Sequence, residues 1–221
     1  YDIAARHQLL PLVAAFGGWQ ALPGGLIMLE LALLCAAGGY LCCMRSGMAP
    51  DTCAYFTVFV SMGSNLFWMS TSDGVWFLAQ LCGLLFAVWG LYFVQGRSPG
   101  QTALASLCMA LAVGCRPFYA LLLACWLVWR AYKQRSVCAI LPALLPAAAV
   151  AVGMMAYNYV RFGSVTEFGH NYLPEFTRAD YGQFSLHYLL PNLLQLLRPV
   201  TLDAQGVLQF EKFNGFLFFI A

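Results

Sequence analysis

The chain has 221 residues, 62% of them from the set AVILMFWYC and only 9% charged, with a net charge of +2. An ordinary soluble domain is about 45–50% apolar and about 25% charged. Twenty charges cannot solvate the surface of a globule this size, so a soluble enzyme is excluded, and the small net charge gives no argument for nucleic acid.

Residues 1–160 hold eleven of those charges and the last 61 residues hold nine. The charge-free gaps are 7–29, 31–44, 52–72, 74–96, 98–115, 117–129 and 136–160. A helix crossing ~30 Å of hydrocarbon needs about 20 apolar residues, and four gaps reach that length. The pattern predicts an all-α fold, a polytopic transmembrane helical bundle occupying residues 21–158.

In chain order, residues 1–20 read as an extracytoplasmic interfacial segment, because Pro11, Gly17 and Gly18 argue against a span. Helices are expected at 21–44, 52–69, 74–95, 101–114, 117–130 and 137–158. Turn chemistry separates them at Arg45–Pro50, Gln95–Gly100 and Gly114–Pro117. Residues 159–212 read as an extracytoplasmic loop and 213–221 as the start of a further helix. Tyr1 stands where a Met would begin a chain, no basic stretch precedes a cleavage site, and both ends read as cut from something longer. Nine cysteines fall in or beside the apolar stretches without a CxxC pair. That pattern predicts neither a disulfide framework nor a zinc site but small hydrophobes.

Basic residues in short loops orient a membrane chain. Arg45, Arg97, Arg130, Lys133 and Arg135 fall in three loops that strict alternation places on one side, expected to be the cytoplasm. The multi-pass chain is expected in the bacterial cytoplasmic membrane. Two of its helices are short: 101–114 and 117–130 give about 21 Å each at 1.5 Å per residue. They meet at Arg116-Pro117, which predicts a guanidinium below the outer membrane surface, in a wet, protein-lined cavity. Snorkelling of Arg116 to the headgroups is the alternative. Glu30, inside the first span, is expected to face the bundle interior.

In the loop, Leu186, Leu189, Leu190, Leu193, Leu194 and Leu197 recur at 3–4-residue spacing, with Asn192, Gln195 and Arg198 between them. This predicts an amphipathic helix lying at the interface.

The stretch LAVGCRPFYALLLACWLVWR, then a basic turn and a helix ending YNYVRFGSVTEFGHNY, resembles bacterial polytopic proteins of the GT-C glycosyltransferase class. These are similar to the protein O-mannosyltransferases and the aminoarabinose lipid A transferases. The resemblance is greatest to a bacterial branch in which a phrase like YNYxRFGSPxEFGxNY recurs. It runs over nearly the whole chain and implies a membrane transferase whose donor is a sugar on a polyprenyl phosphate. The active site of that class faces the extracytoplasmic side, with a catalytic Asp or Glu in the first outer loop. Asp2 does not match that motif, so the catalytic acid is expected upstream, with Asp73 a further candidate.

Asp73 lies in Ser70-Thr-Ser-Asp-Gly74, where capping of the next helix is the competing role. Arg116 is the candidate for holding the departing phosphate, since negative charge builds there and a guanidinium fork matches it. Arg161, Glu167, His170, Asn171 and Tyr172, interleaved with Tyr159, Phe162 and Phe168, are candidates for binding sugar or acceptor. An interfacial aromatic belt with a locally paired Arg161 and Glu167 is the alternative. Gly163 and Gly169 are expected to serve backbone turns. His170, His187, Glu175 and Asp180 lack the spacing of a metal site, so no metal or other cofactor is called for, with a divalent cation left open. The expected partners are the bilayer and the lipid-linked donor. A transporter or flippase half, or a structural subunit of envelope polysaccharide assembly, are the competing functions.

Overall fold

The computed structural model describes residues 24–71, 74–135 and 140–169, then 172, 181, 185–197, 201–202, 204–206 and 208–209. The segments expected at 1–20 and 213–221 lie outside the described residues. The chain divides into two compact units, 1–157 and 158–221.

The first unit is a helical bundle. Its elements are α1 (Gly24–Arg45), α2 (Pro50–Met62), α3 (Asn65–Thr71), α4 (Val75–Val94), α5 (Pro99–Cys115), α6 (Tyr119–Gln134) and α7 (Leu141–Phe162), the last running on into the second unit. The fold is an all-α membrane helical bundle. Helices α1, α4 and α7, with 22, 20 and 22 residues, are long and apolar enough to cross a membrane. At ~1.5 Å per residue they measure 30–33 Å, the thickness of the hydrocarbon layer.

The expected span over 52–69 is corrected to two helices, α2 and α3, broken at Gly63-Ser64. The Ser64 hydroxyl donates back to the Val60 carbonyl, and its oxygen accepts from the Leu66 N–H at 3.2 Å. A side chain that terminates one helix and caps the next competes directly with the backbone ladder. α5 is also longer than expected. Ser98 is its N-cap, accepting from the Gln101 N–H at 3.2 Å, and Pro99 fills the first helical position. That pairing starts the helix two residues early. Even so, α5 and α6, at 17 and 16 residues, reach only about 24–26 Å.

Side-chain contacts fix the direction of each helix. Cys35 reaches the Leu81 carbonyl, Cys42 the Val88 carbonyl and Arg45 the Tyr92 carbonyl, so α1 and α4 run parallel. α5 runs against them, with Met109 at Gly90 and Cys115 at Gly83. α6 returns beside α4, with Tyr119 at Gly83. α7 runs with α5, since Ser106 donates to the Ala143 carbonyl and Met154 lies against Gly114. α6 runs on to Gln134, past the expected end at 130, so Arg130 and Lys133 lie in its last turns rather than in a loop. With Arg45 at the end of α1, Arg97 and Arg135, they share one end of this unit, and Arg116 stands at the other.

Helices in lipid associate through close packing and buried hydrogen bonds rather than the hydrophobic effect. Gly83, Ala87 and Gly90 line one buried stripe of α4. A Cβ at Gly83 would lie 2.8 Å from the Tyr119 ring, and one at Gly90 would lie 3.0 Å from Met109. On α1, a Cβ at Gly38 would lie 2.9 Å from Val88. Two apolar clusters result. Met28, Ala32, Cys35, Leu66 and Leu81 join α1, α3 and α4, and Ala105, Met109, Trp126 and Ala143 join α5, α6 and α7. Because α1 packs through Met28, Ala32 and Cys35, Glu30 points away and is exposed. The expectation that it faces the bundle interior is corrected.

In the second unit a 3₁₀ turn, Leu186–Tyr188, leads into α8 (Leu189–Leu196), and Thr201–Leu202 (β1) pairs antiparallel with Leu208–Gln209 (β2). Leu186, Leu189, Leu190, Leu193, Leu194 and Leu197 are all exposed. An uncovered row of leucines on a short helix is the surface an interfacial helix presents to acyl chains.

Candidate functional site

The α5–α6 corner is built by Arg116-Pro117-Phe118. Arg116 leaves the helix with φ −147° and ψ 116°, extended backbone, while its N–H still donates to the Ala112 carbonyl at 2.9 Å. An extended residue before proline is the conformation the ring enforces. The side chain crosses to α4, where Nη2 donates to the Trp76 carbonyl at 2.9 Å and the guanidinium carbon lies 5.2 Å from the Trp76 ring centre. Its Nε is buried and has no acceptor among the described residues.

This position departs from the expected wet, protein-lined cavity. The guanidinium meets the first turn of α4, a helix long enough to span, so it stands at the rim of the bundle. Two cavities are described in this unit, one of about 130 Å³ between α1, α2 and α4, the other of about 300 Å³ between α4, α5 and α6. Neither is lined by Arg116.

The corner gathers positive potential. α4 and α6 both begin here, and a helix N-terminus carries roughly half a positive charge. α5 ends here with the opposite sign and offsets one of them. Gly74, at φ +141°, makes the turn into α4, a conformation a side chain would resist. Asp73, the residue before it, lies outside the described residues. Trp76 was not among the residues singled out from sequence. Only its place in the first turn of an apolar run marked it, and the pairing with Arg116 spans 40 residues.

The remaining candidates belong to the second unit. Asn158 is buried and its amide donates to the Val165 carbonyl at 3.4 Å. Gly163 closes α7 with its N–H on the Tyr159 carbonyl at 2.8 Å and φ +71°, the left-handed cap that favours glycine. Gly169, at φ +83°, donates its N–H to Glu167 Oε1 at 2.7 Å. Both glycines serve turns, as expected. One oxygen of Glu167 thus holds its own loop, a role the sequence reading did not include. The Arg161 guanidinium lies 5.0 Å from the Phe162 ring centre. The exposed Tyr172 stacks on Phe162 at 5.6 Å. Arg161 and Phe162 end α7, Glu167 and Tyr172 follow in the segment after it, and His170 and Asn171 lie outside the described residues.

Comparison with protein-family models, with curated proteins and with solved structures found no match to this chain.

Proposed function

We propose that the chain acts in the extracytoplasmic transfer of a sugar from a polyprenyl-phosphate donor to a glycan, lipid or protein acceptor, as its resemblance to the GT-C class implies. The observation that carries this reading is the Arg116 corner. A guanidinium at the first turn of α4 sits where the helix field is already positive, and its buried Nε lacks an acceptor among the described residues. An anion placed there would satisfy both. A lipid-linked phosphate is an anion delivered to the rim of a membrane bundle.

In the transfer, an acceptor hydroxyl attacks the anomeric carbon and the bond from that carbon to the phosphate oxygen breaks. The electron pair leaves with the phosphate, whose growing charge Arg116 stabilises, and the hydroxyl proton passes to a carboxylate base. Asp73 is the acid that the sequence puts nearest this turn. In the second unit, Arg161, Glu167, His170, Asn171 and the Tyr172 ring are the groups that would bond sugar hydroxyls or offer an aromatic face. The Arg116 corner faces away from the cytoplasm because Arg45, Arg97, Arg130, Lys133 and Arg135 occupy the opposite end of the bundle.

The test is transfer of radiolabelled sugar from membrane polyprenyl-phosphate pools to the endogenous acceptor. Losing one charge-assisted contact that tightens in the transition state costs on the order of 2–4 kcal/mol, or about 30- to 1000-fold in rate. Arg116→Ala should lose that much with equal protein in the membrane. Arg116→Lys should recover only part, because a point charge does not reproduce the fork. Wild-type transfer by Arg116→Ala would make this arginine structural.

A further inference from the structure

The cavity between α4, α5 and α6 lies away from the Arg116 corner, toward the basic end of the first unit. Leu91, Val94, Met109, Leu122, Trp126 and Trp129 line its walls, and its volume is about 300 Å³. The lining is almost wholly carbon. Water needs two to four polar partners to settle in such a space, so a cleft of this kind on a membrane helix takes hydrocarbon. One feature sets it apart from an ordinary lipid-facing groove. Trp126 is 6% exposed, yet its indole N–H has no acceptor among the described residues. An unmet buried donor is uphill, and an occupant of the cleft that carried a carbonyl group would satisfy it.

Charge at the mouth narrows the occupant further. Arg97 follows Val94 by three residues, and Arg130 follows Trp126 by one helical turn on the same face of α6. Lys133 and Arg135 continue the series at the end of α6, and Arg45 lies over Tyr92 with its guanidinium carbon 4.7 Å from the ring centre. Among the described residues Asp51 is the one acid at this end. Five cations against one anion, beside an apolar cleft, match a lipid with a net negative headgroup.

We propose that this cleft binds one anionic diacyl phospholipid. An acyl chain lies between α4, α5 and α6, an ester carbonyl accepts from Trp126 Nε1, and the phosphate faces Arg97 and Arg130. The site is independent of the transferase reading and lies at the opposite end of the bundle.

Native mass spectrometry of the detergent-purified full chain reads the binding, with dioleoylphosphatidylglycerol and dioleoylphosphatidylcholine titrated in turn. The wild type should retain one phosphatidylglycerol at least tenfold more tightly than phosphatidylcholine. The double substitution Arg97→Gln, Arg130→Gln should bring the two lipids to within threefold. Cys125→Trp, which fills the cleft from α6, should weaken both at least tenfold. Leu121→Trp, on an exposed face of the same helix, should change neither, and circular dichroism checks that each variant keeps its helices. Equal retention of the two lipids by the wild type would overturn the proposal. So would unchanged phosphatidylglycerol binding in well-folded Cys125→Trp, or a loss that Leu121→Trp reproduces in full. If Cys125→Trp loses its helicity, the Gln pair decides alone: preference kept overturns the site, preference lost supports it.

Discussion

The Tyr119 ring, where α6 begins beside the Arg116 corner, meets α4 at Gly83, and one added methyl group tests that contact. At Gly83 a Cβ would come within 2.8 Å of Tyr119 Cε2 and 3.4 Å of Cys115 Cβ. Real Cβ atoms do not approach ring carbons that closely, so either the Tyr119 ring or the whole start of α6 must move. Inserting a methyl into such a seam costs about 1–3 kcal/mol, against a gain of up to about 1 kcal/mol from replacing a helical glycine. Gly153 on α7 isolates the second effect, because a Cβ there meets nothing within 4 Å. Gly153→Ala should therefore hold or raise stability, and Gly83→Ala should fall below it by about 1–3 kcal/mol. The assay is reversible denaturation in mixed detergent micelles, followed by circular dichroism. Tyr119→Ala removes the clashing ring, so the double variant should lose less than the two single losses added together, the mark of groups in direct contact. Equal midpoints for Gly83→Ala and Gly153→Ala would refute the close approach of Tyr119 to Gly83.

Four further outcomes follow. Ser106→Ala removes the buried hydroxyl bond to the Ala143 carbonyl and should cost about 0.6–1.7 kcal/mol in the same assay. Asn158→Leu should free the Val165 carbonyl, cost about 1 kcal/mol, and speed proteolysis within 163–169 with little effect on the bundle. A nitroxide at Leu190 should be more accessible to oxygen than to a polar nickel complex, with the reverse at Asn192. Equal accessibility at both sites would refute an interfacial α8. Cys at Ser164, in a chain freed of its native cysteines, should react with an impermeant thiol reagent in intact cells, and labelling only after permeabilisation would reverse the topology.

How much of this was legible in the sequence differs from one element to the next. α4 and α7 coincide with long charge-free gaps, whose length is a physical requirement of a bilayer rather than a statistical preference, while α1 joins two gaps across Glu30. The break at Gly63-Ser64 was not legible, because glycine and serine are common within membrane helices and the break depends on which carbonyl the Ser64 hydroxyl selects. The early start of α5 was legible in Ser98-Pro99, an N-cap followed by a first-turn proline, and a closer reading of that pair would have placed it. Glu30 was misplaced because the rule that charges face inward ignores which face α1 uses to pack. At the candidate site, Arg116 stood out by its charge within an apolar stretch, whereas its partner Trp76 depends on how α4 and α5 are aligned. The cleft at Trp126 was likewise invisible, since a cavity is a property of three helices and no single segment encodes it.

The central claim is that Arg116 holds the phosphate of a lipid-linked donor. Its most direct measurement is binding of a polyprenyl phosphate to the detergent-purified chain, with the unphosphorylated polyprenol as the reference ligand. The wild type should prefer the phosphate, and Arg116→Ala should weaken that ligand about 30-fold or more, equivalent to roughly 2 kcal/mol, while leaving polyprenol unchanged. The Arg97→Gln, Arg130→Gln pair, at the far end of the bundle, should leave both ligands as they were. Equal affinity of the wild type and Arg116→Ala for the phosphate would contradict the account.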